Sequence, residues 1–381
     1  MIKRTLQELC LNITDGKHGD CENEENSGYY FISCKDIFDG QINYKNARQI
    51  TKADFEETHK RTMLEVDDIL LTNSGTIGRM AFVTDREATT KTTFQKSVAI
   101  IKPDKQKVLP RYLYYQLQNC VPQFINSSNG SAQKNLLLST MRTFQIEIEE
   151  NREKQEKIAD TLSAYDDLIE NNQKQIKLLE EAAQRLYKEW FVDLRFPGHE
   201  NTKIVDGVPE EWRKFPLEEI APVVTGKKDA NYGDKGGNYP FFTCSQETIT
   251  APGYSFDTSA VILAGNGDFN VKLYRGKFEA YQRTYVLAPF DHSNLFNLYF
   301  TVQDNMEALA KGASGSTIKF LTKGMLQKIL VLTADKKILD KFNDYEENIQ
   351  QKVEALKKQV EDLTEIRSRL LPKLMSGEVE V

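Results

Sequence analysis

Two sets of polar residues in this 381-residue chain fall in short loops rich in Gly, Ser and Asn, where side chains project toward a partner. The first set is Lys17, His18, Arg79, Lys91, Thr92, Ser131, Gln133, Lys134 and Asn135. The second is Lys227, Lys228, Asn231, Tyr232, Lys235, Gln282, Arg283, Ser314, Ser316 and Lys319. Reading a base pair needs planar donors and acceptors: Arg and Lys suit guanine, Asn and Gln suit adenine. Phosphates are held by Lys, Arg, Ser, Thr and backbone N–H groups. Gly130, Gly312 and Gly315 would let such loops approach a nucleic-acid backbone closely. Taken singly, a Gly/Ser/Lys loop is more plainly a solvated turn, His18 a surface polar residue and Tyr232 a packing aromatic. Their weight comes from recurrence at matching places in two copies of one pattern.

Other chemistries lack their residues. There is no G-x-x-x-x-G-K-[ST] phosphate loop and no G-x-S-x-G elbow. The four histidines, His18, His59, His199 and His292, have no metal-ligand partner at helical spacing. Gly265-Asn-Gly267 has no further Gly three residues on, and no D/N-P-P-[YF] tetrapeptide for gripping a flipped adenine occurs. Cys10, Cys21, Cys34, Cys120 and Cys244 form no C-x-x-C pair, which argues against a zinc site or a disulfide framework. The expectation is therefore a binding protein without a catalytic centre or metal. The plentiful carboxylates read as solvated helix faces.

The elements that must position these loops repeat along the chain. Leu6-Gln-Glu-Leu9 matches Leu217-Glu-Glu-Ile220, and Ile13-Thr-Asp-Gly-Lys17 matches Val223-Val-Thr-Gly-Lys227. Ile69-Leu-Leu-Thr-Asn-Ser-Gly75 is aligned with Ser259-Ala-Val-Ile-Leu-Ala-Gly265, and Asn129-Gly-Ser-Ala-Gln-Lys134 with Ser314-Gly-Ser-Thr-Ile-Lys319. The spacing falls steadily along the chain, as a tandem duplication with shorter loops in the second copy would require. Within each copy, β-rich runs such as Ser97–Ile101 and Arg283–Leu287 alternate with turns, and Pro110–Gln118 reads as a short helix opening on Pro. The expectation is α/β domains with a twisted or barrel-like sheet, joined by a linker over Pro197–Glu211.

Two charged, Gly-poor stretches carry a heptad seam. In the first, Asn151–Phe191, it runs Ile158, Leu162, Tyr165, Ile169, Asn172, Ile176, Leu179, Ala183, Leu186 and Trp190. Adding 180 places the second, within Lys336–Leu371, at Ile338, Phe342, Tyr345, Ile349, Lys352, Leu356, Gln359, Leu363, Ile366 and Leu370. Each helix would be about 55–60 Å long at about 1.5 Å per residue. One such helix cannot bury its stripe alone. The two are read as an antiparallel coiled coil, its polar layer at Asn172 and Lys352 fixing register; the plainer alternative is two independent surface helices.

Composition bounds the rest. With 40% hydrophobic and 10% aromatic residues the chain can build real cores, and its length fits two domains plus connecting elements. A net charge of −6 is unlike a simple basic nucleic-acid binder, so affinity for DNA is expected to be shared with other subunits. No apolar run reaches the roughly 20 residues of a membrane span and no signal peptide is read, so the expected compartment is the cytoplasm.

Taken together, the chain resembles the specificity subunit of type I restriction-modification systems over essentially its whole length. The likeness lies in the openings Leu6–Lys17 and Glu211-Trp-Arg-Lys-Phe-Pro-Leu217 to Lys227, and in the loops Gly130–Leu136 and Gly315–Leu321. It continues in the helix starts Lys154-Gln-Glu-Lys-Ile158 and Lys336-Lys-Ile-Leu-Asp-Lys341, and in the ends Arg185–Phe191 and Arg369–Gly377. One departure is that the segment after Lys336 lacks the usual Pro- and Gln-rich lead-in. The resemblance implies an α+β fold class: two similar α/β target-recognition domains (1–150 and 197–335) separated by two helical spacers (151–196 and 336–381). It implies that each domain reads half of a split site in double-stranded DNA. Two methyltransferase subunits bearing S-adenosylmethionine would dock on the spacers, and two restriction subunits would bring ATP and Mg; this chain itself would hold no cofactor. The alternative is a non-catalytic coiled-coil scaffold whose globular domains bind protein, against which the matched polar loops speak.

Overall fold

The structure is a computed structural model that describes every residue except Asp39, Asp85, Arg86, 129–133 and 314–318. The chain forms two compact units, Met1–Asn171 with Gln359–Val381, and Asn172–Lys358. The division falls inside the two long helices rather than at the domain ends drawn from sequence, because each helix half packs against the globular part of its own unit.

In the first unit a four-stranded sheet has the order Cys10–Asp15, Val98–Pro103, Ile69–Thr72, Met80–Phe82, all neighbours antiparallel. Ile69, Leu70, Leu71 and Ala99 to Ile101 are buried on both faces, which is why these strands read as continuous apolar runs. One face packs on the helix Pro110–Asn119, whose Tyr112, Leu113, Tyr115 and Leu117 are buried and whose Pro occupies the first turn, where no N–H is needed. Beside the sheet, Tyr30–Ile32 pairs in parallel with Thr92–Phe94. Helix Lys52–Thr62, capped by Thr51, sets Phe55 against Cys21, Phe31 and Ile50.

The second unit repeats this plan. Val223–Thr225, Thr284–Leu287, Phe256–Ala264 and Val271–Ala280 follow in the same order, extended by Tyr239–Phe242, again in parallel, and Ile249–Ala251. Hydrogen-bond register refines the sequence alignment: Ile69 and Ile13 both stand opposite Ile101, while Val261 and Val223 both stand opposite Leu287. Ile69 therefore corresponds to Val261, two residues beyond the alignment with Ser259. Apolar pattern alone could not fix that slip, because a two-residue shift keeps the same face inward.

The long helices span Arg152–Tyr187, closing in a wide turn over Lys188–Val192, and Lys336–Ser376. In the first unit, Ile158, Ala159 and Leu162 share a core with Leu374 and Met375, and Arg367 pairs with Asp166 at 2.5 Å. In the second unit, Trp190 meets Phe342 and Tyr345, and Lys357 pairs with Glu180 at 2.9 Å. Within each unit the helices therefore run antiparallel.

The sequence seam holds at Ile158, Leu162, Asn172, Ile338, Phe342 and Leu356, which are buried, and at Tyr165, Ile169, Ile176, Leu179, Leu186, Ile349, Leu363 and Leu370, which are partly buried. It is corrected at Tyr345, Lys352 and Ile366. Tyr345 is 49% and Ile366 47% exposed, Lys352 is exposed, and the inward places belong to Glu346, Val353 and Arg367. One of the second helix's two heptad series sits a residue further on, which buries Val353 and leaves the Lys352 ammonium in water. Pro197–Glu211 is not a loose linker. It carries a short hairpin, Ile204–Val205 with Val208–Pro209, and is bracketed by the buried Phe196 and Trp212, whose tilted rings lie 4.6 Å apart.

Candidate nucleic-acid interface

Antiparallel pairing brings the C-terminal ends of Cys10–Asp15 and Ile69–Thr72 to the same edge as the start of Val98–Pro103. Three loops thus meet there, and a fourth joins them: Leu136 N donates to Asn73 O at 2.8 Å, Asn73 N to Ser97 O at 3.0 Å, and Lys96 N to Lys17 O at 3.1 Å. The second unit repeats the set, with Leu321 N to Gly265 O at 2.8 Å, Gly265 N to Arg283 O at 2.9 Å, and Gln282 N to Lys228 O at 2.9 Å. Gly16 and Gly226 are the pivots. A Cβ on either would lie 1.9 Å from Phe94 O or 2.0 Å from Ala280 O, so the turn beside the parallel strand admits only glycine.

In the first unit this edge gathers Lys17, His18, Arg79, Lys134 and Asn135. Arg79, Lys134 and Asn135 are exposed. Lys17 is not a free cation: its ammonium lies 3.1 Å from Asp54 and 3.4 Å from Glu57, and the Asp54 carboxylate holds it above the usual lysine range. His18 places Nε2 2.9 Å from the buried Asp15 carboxylate, which Arg61 also grips. Lys91 is exposed on the turn Thr89–Lys91, away from this group. Thr92 is corrected as a contact: it is fully buried, its hydroxyl donating to Ala88 O at 2.6 Å, because it begins the buried strand Thr92–Phe94. Ser131, Gln133, Ser314 and Ser316 lie outside the described residues.

In the second unit Lys227, Lys228, Asn231 and Tyr232 share one loop. The Lys228 ammonium sits 4.4 Å above the Tyr232 ring, and Gln282 reaches Asp229 at 3.4 Å. Arg283 and Lys319 are exposed beside them. Lys235 is exposed but belongs to the turn next to Ile249–Ala251, where Asp234 N donates to Thr250 O at 2.8 Å.

Sequence reasoning missed Lys96, Ser74 and Asn73, which line one cleft with His18 and Asn135, although the aligned segment Ile69–Gly75 contained two of them. It also missed the matched pair Cys34 and Cys244, visible as Phe31-Ile-Ser-Cys34 and Phe241-Phe-Thr-Cys244. Each follows the strand of its unit's parallel pair. No group of three or more His, Cys, Asp or Glu able to hold a metal occurs among the described residues. No helix among them is long and apolar enough to cross a membrane.

Comparison with known proteins supplies independent findings. A family model, "Type I restriction modification DNA specificity domain", matches residues 3–181 and 209–362. The chain is 37% identical over 176 residues to the type I restriction enzyme EcoDI specificity subunit of Escherichia coli, covering 45% of this chain and 39% of that one. It is 28% identical over 386 residues to the MjaIX specificity subunit of Methanocaldococcus jannaschii, covering 92% and 87%. Among solved structures, the type I restriction-modification S subunit from M. genitalium shares the fold at a TM-score of 0.61 and 18% identity, over 98% of this chain and 95% of that one.

Proposed function

The chain belongs to the type I restriction-modification DNA specificity family, and from that premise we propose that it reads double-stranded DNA, one half of a bipartite target per unit. The observation that carries this is the duplicated edge: the same four loops, held by the same backbone hydrogen bonds, present Arg79, Lys134 and Asn135 in one unit and Lys228, Arg283 and Lys319 in the other. Exposed cations, amides and loop N–H groups are what phosphate and groove contacts require. The loop residues differ between units, so the two half-sites differ.

The chain performs no chemistry in this reading. Its long helices act as an antiparallel coiled-coil spacer and as the docking surface for two methyltransferase and two restriction subunits. Those partners supply S-adenosylmethionine, ATP and Mg, and the complex works in the cytoplasm on the cell's DNA. The net charge of −6 fits a reader whose affinity is completed by its partners. The test is methylome sequencing of a host that carries the chain with its modification subunits. A split motif is expected, and exchanging residues 1–150 for another recognition domain changes one half only. A contiguous motif, or a change in both halves, would refute the function.

A further inference from the structure

The cleft at the reading edge of the first unit has a volume of about 360 Å³ and is lined by Asp15, His18, Asn73, Ser74, Lys96 and Asn135 together with Leu136 to Leu138. Its geometry fixes the hydrogen-bonding sense of one side chain. Asp15 is 6% exposed; one carboxylate oxygen is taken by Arg61 Nη2, the other lies 2.9 Å from His18 Nε2, and Arg61 Nε donates to the Asp15 carbonyl at 3.1 Å. A carboxylate only accepts, so Nε2 carries a proton toward Asp15; in the neutral imidazole this leaves Nδ1 as the acceptor, on a side chain that is 60% exposed. Asn73, 4% exposed on the same cleft, has a buried Oδ1 without a partner among the described residues. Such an orphaned carbonyl is costly unless a donor arrives. Lys17, the cation nearest along the chain, is occupied by Asp54 and Glu57.

We propose that this cleft reads an exocyclic amine of the first half-site, adenine N6 or cytosine N4, with His18 Nδ1 accepting the one N–H that base pairing leaves free, Asn73 Oδ1 as the unpaired acceptor beside it, and Asp15 as the positioning residue. In the major groove adenine and cytosine present an amine where guanine and thymine present a carbonyl oxygen. An acceptor fixed at that point therefore selects one member of each pair. The second unit lacks the device: Gly265 holds the place of Asn73, and the loop after Gly226 carries Lys227 and Lys228 with no histidine. The inference rests on the DNA-reading function above.

The complex of this chain with its modification subunits tests it, with methylated motifs determined by sequencing for wild type, His18→Ala and Asp15→Asn. In His18→Ala one base pair of the first half-site is expected to relax, losing on the order of tenfold discrimination, while the second half-site stays intact and reports a folded chain. The pair that relaxes tells adenine from cytosine. Asp15→Asn is the sharper variant. Arg61 keeps the amide oxygen on its own side, so the NH2 turns to His18 and donates to Nε2; the proton moves to Nδ1, which becomes a donor. The same pair then changes by transition, adenine to guanine or cytosine to thymine. An unchanged motif in His18→Ala overturns the proposal, as does Asp15→Asn relaxing that pair without the transition. A wild-type complex with no motif at all would instead fail the DNA-reading function.

Discussion

At the scale of single residues, the loop edge proposed to read DNA depends on two glycines and a few cations. Gly16→Ala sets a methyl 1.9 Å from the Phe94 carbonyl, and backbone cannot yield as a flexible side chain does. The expected cost is about 1–3 kcal/mol, seen as a lower thermal midpoint and a first half-site degraded while the second is kept; equal stability to wild type would show that the turn is not pinned. Charge makes a second prediction. Lys134 and Lys319 are exposed beside the edge, so changing either to Ala should weaken DNA binding and flatten its salt dependence by about one phosphate's worth. Lys17→Ala should leave the slope nearly unchanged, because its ammonium already neutralises Asp54 and Glu57. Equal slopes for all three variants would contradict this ranking. Residue types and loop recurrence in the sequence pointed to loops that the fold gathers at one edge of each unit, but could not rank their members. Asp54 and Glu57 lie 37 and 40 positions from Lys17, and Thr92 became a buried strand residue through pairing with Tyr30.

At the scale of elements, the second long helix carries a buried acid. Glu346 is fully buried, neither of its carboxyl oxygens has a partner among the described residues, and burial pushes it up to about 8. Its folded value lies above its unfolded one, so the folded chain binds the proton more tightly. The stability this contributes is complete below about pH 4.5 and is lost as the pH rises toward about 8. Glu346→Gln removes the ionisation. At pH 8.5 the variant should exceed wild type by on the order of 2–4 kcal/mol in urea unfolding, with a much smaller gain at pH 5; parallel pH profiles for the two proteins would place the carboxyl in water. Existence and length of both helices were legible because an apolar residue returns every three or four places. Register was not, because Tyr345 is as apolar as its neighbours require while Glu346, a charged type, takes the inward place. The strand order of the two sheets likewise follows from long-range pairing, which no local pattern encodes, although the duplication announced that both copies would share it.

At the scale of the whole molecule, the proposed function gives each of the two duplicated units one half-site to read, and in that proposal the long helices serve as the ruler between the half-sites. Residues of both helices belong to the core of the first unit, where Tyr115 donates to Asp166 at 2.7 Å and Gln118 accepts from Arg367 at 2.7 Å. An exchanged recognition domain must bring equivalents of Tyr115 and Gln118, or the half-buried Asp166–Arg367 pair loses its neighbours. The ruler itself can be lengthened without touching either core. Seven residues added to the first helix between Asp166 and Glu180, with seven more in the second between Lys357 and Arg367, leave the ion pairs at 2.5 Å and 2.9 Å untouched. Each insertion is a whole heptad, so the inward stripe keeps its face. The added rise is about 10 Å, which on B-DNA is about three base pairs. The expected methylation motif keeps both half-sites letter for letter and widens the unread gap by about that amount. Lengthening only one helix breaks the pairing and should abolish methylation altogether. A doubly lengthened chain that still methylates the original motif at the original spacing would mean that the helices do not set the distance between the half-sites.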